Sequence, residues 1–401
     1  MSRVIAVFVV AGSLLGAAST ADAGASPFLR NASIGVEATW DSARDSPSLS
    51  LDAASITVEH ILAGKMPESA VVLGRQTPKW GHGLSGSLLL SGFTPLDALA
   101  LSVEAGSLRY SQLIAARDVA RGRWLLAHRL EGQIAEGVEV GVSEACAVSS
   151  GFRLQPYHLL PGCPYFLDQH LSIVDERSQD WWSNVLAAVD ASVEVGSGVK
   201  VYGEFMADDF PWAPSARGKV PYMVAGLAGV QVELPSGSDS WRFAAEYVRV
   251  NNYVYSHKNP ENTYVVREDE PIGHPLGPDA DALYVFVTRP VRLGAAIPFG
   301  EMEITGRLGY ERHGEGALGI AWNPSEGVAR EFLSGTIETR ASLGLWARAG
   351  MSAPLRVLPG TPRGTIEFAA VVESLGNADH VPSARAVEAS VRLSMRLMWN
   401  R

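Results

Sequence analysis

Beyond its first two dozen positions, the chain has no run of about 18 apolar residues, so no segment is long enough to cross a bilayer as a helix. The nearest, GSLLLSGFTPLDALALSV, is broken by Pro95 and Asp97. Cysteine is nearly missing: Cys146 and Cys163 are the only two in 401 residues. In an exported chain they are expected to pair in one disulfide, with two buried thiols as the alternative. A basic surplus is missing as well. Lys and Arg total 33 against 43 Asp and Glu, a net charge of −10, which argues against a nucleic-acid partner.

Sequence signatures of chemistry are equally scarce. There is no Walker loop, G-x-S-x-G elbow, H-E-x-x-H pair or EF-hand loop. GHGLSG, from Gly81 to Gly86, formally matches G-x-G-x-x-G. It opens no amphipathic helix within a βαβ unit, so it is not a dinucleotide site. The nine histidines are spread thinly. The expectation is a non-enzymatic protein with no catalytic residues, metal or cofactor.

What is present begins with a leader. MSRVIAVFVVAGSLLGAASTADA combines Arg3, an apolar run from Val4 to about Ala18 and the small-residue site Ala21-Asp22-Ala23. That pattern is a secretory signal peptide over 1–23. No Pro/Ser-rich linker divides the rest, so 24–401 is expected to be a single domain. Over the whole chain the mean hydropathy is slightly positive, with 40 glycines and only 19% charged residues. High hydropathy without a spanning helix is the composition of a transmembrane β-barrel, whose apolar residues occupy every second position.

The alternation is explicit. The C-terminal VEASVRLSMRLMWNR places Val387, Ala389, Val391, Leu393, Met395, Leu397 and Trp399 on one face, and Glu388, Arg392 and Arg396 on the other. SIGVEATW, NVLAAVDASVEV, VKVYGEFMAD, EMEITGRLGYE, TIETRASLGL and TIEFAAVVE repeat it. Soluble strands run about 5–6 residues, whereas a tilted membrane wall takes about 9–11. Most segments here are ten or longer. The expected strands are 33–41, 54–62, 69–75, 97–105, 107–118, 122–132, 137–147, 184–195, 198–208, 222–234, 240–250, 282–293, 301–312, 332–350, 364–374 and 386–399. Segment 122–132 fits least well, because His128 falls on its apolar face. Extra strands inside 76–96 or 147–183 would raise the count from sixteen to eighteen.

Short connections alternate with long ones, as in outer-membrane barrels with periplasmic turns and extracellular loops. The fold class is therefore all-β, a transmembrane antiparallel barrel of 16–18 strands. Hydrocarbon offers backbone groups no partner, so such a sheet must close. Trp40, Tyr310 and Trp399 suit the lipid–water boundary. Outer-membrane lipid is then one partner and the cell's barrel-assembly machinery another. Many such barrels end in an aromatic residue, whereas here Asn400 and Arg401 follow Trp399.

The inward face carries both signs: Glu194, Lys200, Glu204, Asp208, Arg242, Glu246, Glu303, Arg307, Glu338, Arg340, Arg348, Arg392 and Arg396. This suits either a water-filled pore or a lumen braced by ion pairs and partly blocked. Three long segments mix aromatics with planar polar groups. They contain Trp80 and His82; Glu204, Asp208, Asp209 and Trp212; and Tyr253, Tyr255, His274 and Asp279. Sugar rings stack on aromatics and bond through their hydroxyls to carboxylates. These ten residues are the candidate polysaccharide contacts. Girdle aromatics and turn chemistry are the plainer explanation.

Three of these stretches, LGRQTPKWGHGLSGSLLLS (73–91), YGEFMADDF (202–210) and HPLGPDAD (274–281), resemble the capsule assembly protein Wzi family in order and spacing. The resemblance is clearest over about 70–290. It implies an outer-membrane barrel of about eighteen strands in a diderm bacterium, lectin-like and non-enzymatic, holding exported capsular polysaccharide at the cell surface above an obstructed lumen. By position it makes Trp80, His82, Glu204, Asp208 and Asp209 candidates for the binding surface or the braced lumen. Residues 24–32 are too few for the periplasmic helical piece of the family's enterobacterial members. The alternative is a porin-like channel for small solutes or sugars. Nothing in the sequence fixes the oligomeric state.

Overall fold

The computed structural model describes residues 32–41, 48–59, 68–150, 152, 158, 160, 162–166, 182–209, 218–236, 239–266, 270–292, 299–327, 332–352 and 363–400. The expected signal peptide and Trp212 lie outside the described residues. Sixteen strands form the wall: β1 (Ala32–Asp41), β2 (Ser48–Glu59), β3 (Ser69–Gln76), β4 (Leu96–Ala105), β5 (Leu108–Asp118), β6 (Arg123–Ala135), β7 (Val138–Val148) and β8 (Ser183–Glu194). They continue as β9 (Val199–Asp209), β10 (Met223–Ser236), β11 (Asp239–Val250), β12 (Ala280–Arg292), β13 (Phe299–His313), β14 (Glu338–Ser352), β15 (Arg363–Gly376) and β16 (Arg385–Asn400). Each pairs antiparallel with its neighbours in sequence, and β1 closes the ring on β16 with Trp40 opposite Leu393.

The wall has the expected lower strand number. Lys79–Trp80 with Leu90–Ser91, and Val265–Val266 with Glu270–Pro271, are two-residue ladders within loops. Most boundaries differ from expectation by up to three residues, and two strand starts differ by six. β2 begins earlier, at Ser48 rather than 54. β14 begins later, at Glu338 rather than 332. Leu333 and Gly335 take φ of 63° and 64°, a left-handed geometry that cannot continue a strand.

Alternation sorts the two faces. On β7, Val142 is 58% exposed while its neighbour Ser143 is 2% exposed. Leu73, Leu130, Leu308 and Leu343 are exposed in the same outward sense. In water each would forgo about 1.5–3 kcal/mol of burial, a loss that hydrocarbon removes. Two outward ion pairs, Arg75–Asp97 at 2.7 Å and Arg312–Asp281 at 2.6 Å, lie toward the long-loop ends of their strands. Arg312 stands two positions beyond the exposed, outward Tyr310. An 11-residue strand such as β7, tilted about 40°, rises roughly 28 Å, against an apolar band of about 25 Å.

The connections fall into two rims. One joins β4 to β5, β6 to β7, β8 to β9 and β10 to β11 by short turns; the other joins β3 to β4, β7 to β8, β9 to β10, β11 to β12 and β13 to β14 by long loops. The hydrophobic core lies inside the ring toward the long-loop rim. Leu88, Leu89, Leu90, Tyr255, Tyr264 and Ile272 from the loops pack there against Leu113, Leu125, Leu186, Met206, Leu227 and Val248 of the wall.

Candidate functional site

The connection 77–95 turns into the lumen and winds around two wall carboxylates. Glu204 on β9 accepts the N–H of Gly83 at 2.7 Å and of Leu88 at 2.8 Å. Glu246 on β11 accepts the N–H of Leu84 at 2.6 Å and of Ser85 at 2.8 Å, the Ser85 hydroxyl, and the Tyr202 hydroxyl at 2.8 Å. Convergent backbone N–H groups make an anion nest. The GHGLSG string is therefore an anion-binding loop after all, and its anions are the barrel's own carboxylates. Gly81, at φ 128°, approaches so closely that a Cβ there would lie 2.4 Å from Glu204 Oε1.

Beside it, Asp190 on β8 receives Arg129 of β6 in a two-pronged bond, Nη1 to Oδ2 at 2.6 Å and Nη2 to Oδ1 at 2.9 Å. Arg129 also donates to Ser143 and Glu131. His82 Nε2 lies 3.3 Å from Asp190 Oδ1, within ion-pair range but not aligned as a hydrogen bond. Burial pulls the His82 imidazole below its ordinary pKa, and Asp190 opposes that pull.

The connection 251–279 locks onto the first loop. Tyr255 N–H donates to Asp208 at 2.5 Å, and its hydroxyl donates to the Leu88 carbonyl at 2.7 Å. Tyr264 stacks on Tyr255 at 5.8 Å and donates to the Leu89 carbonyl at 3.1 Å. Arg117 of β5 ties the loop to the wall, bonding the carbonyls of Thr263 at 2.6 Å, Glu261 at 2.8 Å and Trp124 at 3.0 Å. His274 accepts the Leu276 N–H on Nδ1 at 3.2 Å, so Nε2 carries the proton, 3.1 Å from Ser85 Oγ. Burial drives its pKa down to about 3. Asp279 gathers the N–H groups of Gly316 and Ser334 at 3.0 Å and Leu333 at 3.2 Å, fixing the third loop.

Most of the candidate saccharide contacts are thus brought together, but as a latch inside the barrel. Glu204, Tyr255, His274 and Asp279 are buried and bonded within the protein. Asp208 holds Tyr255. Trp80 and His82 are half-buried against the plug, Tyr253 is half-buried at the rim, and Asp209 is exposed. In place of the expected disulfide, the structure shows Cys146 and Cys163 as separate thiols. The Cys146 side chain lies in an apolar cluster with Leu126, Val148, Tyr165 and Val185. Asp190, Arg129, Arg117 and the role of Glu246 went unread in the sequence. The Leu88–Leu90 triplet within a polar loop was the one visible sign that this loop is buried.

Beneath the plug lies a cavity of about 1010 Å³, lined by Arg242, Arg307, Arg348, Glu367, Glu373 and Trp346 and roofed by Ser85, Thr94 and Pro271. Arg307 sits between Tyr284 and Trp346, 5.1 and 4.9 Å from their rings. Arg242 pairs with Glu303. Among the described residues, no group of three metal-ligating side chains is present.

A sixteen-stranded closed wall with an apolar exterior and a filled lumen is similar in structure to Wzi, an outer-membrane protein involved in group 1 capsule assembly in Escherichia coli and a carbohydrate-binding β-barrel. The TM-score is 0.53 at 12% identity, over 93% of this chain and 85% of that one. The fold is that of an outer-membrane β-barrel. OprD from Pseudomonas aeruginosa matches at TM-score 0.45 and 6% identity, over 92% and 93% of the two chains. OccK10 of the same species matches at 0.44 and 11%, over 92% and 99%. By sequence, no family model and no curated protein matches.

Proposed function

We propose that this chain is a non-enzymatic outer-membrane barrel, closed by its own loops, that holds exported surface polysaccharide at an outward-facing long-loop rim. The observation that carries the reading is the plug. Buried carboxylates on the wall are committed to fastening two loops across the lumen, an arrangement suited to a fixed outer surface rather than an open path. The resemblance of 73–91, 202–210 and 274–281 to the Wzi family, and the likeness of fold to Wzi, support the same reading.

The contacts then belong to side chains that remain at the rim. Tyr253 and Trp322 are half-buried and packed on the plug core, which holds their rings in place. Trp322 is fixed further by donating to the Gly327 carbonyl at 2.7 Å. Lys258 and Asp209 are exposed. Such shallow contacts bind each sugar weakly, and a repetitive polymer multiplies them through avidity. Cosedimentation of the purified barrel with polysaccharide extracted from the producing cells tests this. Tyr253→Ala with Trp322→Ala should weaken retention several-fold and leave the barrel heat-modifiable. Undiminished retention in that double variant rejects the rim assignment. The cavity beneath the plug favours a second reading, a channel for small solutes, which conductance separates from the first.

A further inference from the structure

Four polar side chains point out of the barrel rather than in. Tyr110 and Gln112 on β5, His128 on β6 and Glu144 on β7 share the outward sense of the exposed Leu130 and Val142. This explains the misfit of His128 on its strand. Glu144 is six positions from the short-turn end of β7, and His128 is seven from that of β6. At about 3.3 Å per residue and about 40° of tilt, they stand roughly 15 and 18 Å up the wall. With the short-turn rim at its edge, an apolar band of about 25 Å includes both.

These groups are not bare. Part of the β7–β8 connection lies over them on the outside of the ring. Tyr165 and Phe166 donate their N–H groups to Glu144 at 2.6 and 2.7 Å. His128 stands 3.3 Å from Glu144, with its ring 4.6 Å from that of Tyr165. Gln112 donates to the His158 carbonyl at 3.4 Å. Above them Tyr165 buries Leu126, Cys146, Val148 and Val185 of the outer face. Irregular backbone at hydrocarbon depth is tolerated only where protein satisfies its polar groups. The outward polar residues do that on the inner side. The segment also exposes apolar Leu160, 57%, and Phe166, 37%, as the outer face exposes Leu130 and Val142.

We propose that this segment is a lipid-facing clip. Its inner side is fastened to the outer wall through Glu144, and its outer side, Leu160 and Phe166, packs against membrane acyl chains. The clip is independent of what the long-loop rim holds.

Spin labelling of the reconstituted barrel tests it, with Cys146→Ala and Cys163→Ser removing the native thiols. In phosphatidylcholine vesicles, a label at Leu160→Cys should meet oxygen in preference to an aqueous nickel complex as strongly as one at Val142→Cys. It should do so many-fold more than one at Ser325→Cys. Nickel access at 160 equal to that at 325 overturns the proposal. So does dipolar broadening from a second copy. Glu144→Leu should free the clip, giving a mobile, nickel-accessible label at 160, whereas an unchanged spectrum overturns the fastening. Placing p-benzoylphenylalanine in place of Phe166 needs no cysteine change. Irradiation should give a lipid adduct; an adduct to a second copy, or none to lipid, counts against the clip.

Discussion

Asp190 and Arg129 meet inside the barrel with side chains only 3% and 2% exposed. A buried pair of this kind is weak evidence for stability, because desolvation offsets attraction, but removing one partner strands the other. Asp190→Ala should therefore cost about 3–5 kcal/mol, read as a lowered denaturant midpoint of the refolded barrel. Adding Arg129→Met should recover most of that loss; a double variant no better than Asp190→Ala means the charge is not what the pair contributes. The inward direction of Glu204 was legible in the sequence, because it alternates with Val201 and Phe205. Its partners were not. Gly83 and Leu88 lie 121 and 116 residues away, and only the closed register brings them to β9. The same distance hid the use of His82, whose residue type and aromatic neighbour fit a sugar site as well as a plug.

Among the elements, the strands were the legible part, since a period of two over ten or more residues leaves little choice of structure. The loops were legible in length but not in direction. Apart from the Leu88–Leu90 triplet, nothing in these Gly-, Ser-, Tyr- and Pro-rich stretches states that 77–95 and 251–279 fold inward and bond each other. Their interlock carries a pH dependence. His274 is held neutral, with a pKa of about 3 in the docked loops against roughly 6.5 when released. The released loop thus binds more protons throughout that interval, so docking is strongest above the upper value and weakens as pH falls toward the lower. The loss is about 1.4 kcal/mol for each pH unit within the window. His82, lowered by burial, acts in the same sense. Exchange of the Tyr264 and Ile272 amides, which bond across the turn at 2.8 and 3.2 Å, should accelerate between pH 7 and 5 after correction for intrinsic rates. His274→Gln should flatten most of that dependence. A wild-type profile as flat as the variant's would show that the imidazole does not control docking.

For the whole molecule, the decisive matter is whether the filled end is a seal. The core sits inside the ring near the long-loop rim, and the cavity of about 1010 Å³ runs beneath it among charges of both signs. On the proposed reading such a barrel is a cup, wide on one side and stopped on the other. In planar bilayers the intact protein should show no steady ohmic current. Replacing 82–91 with a Gly-Ser segment of equal length removes the Leu88–Leu90 wedge, and with it the packing that aims the loop's N–H groups at Glu204 and Glu246, and should give large, steady openings. Glu204→Gln with Glu246→Gln keeps the wedge but weakens its fastening, since neutral amides accept less strongly than carboxylates, and should give intermittent ones. Steady current from the unaltered protein would make the loops a lining rather than a stopper, and the charged cavity below would then be a solute path.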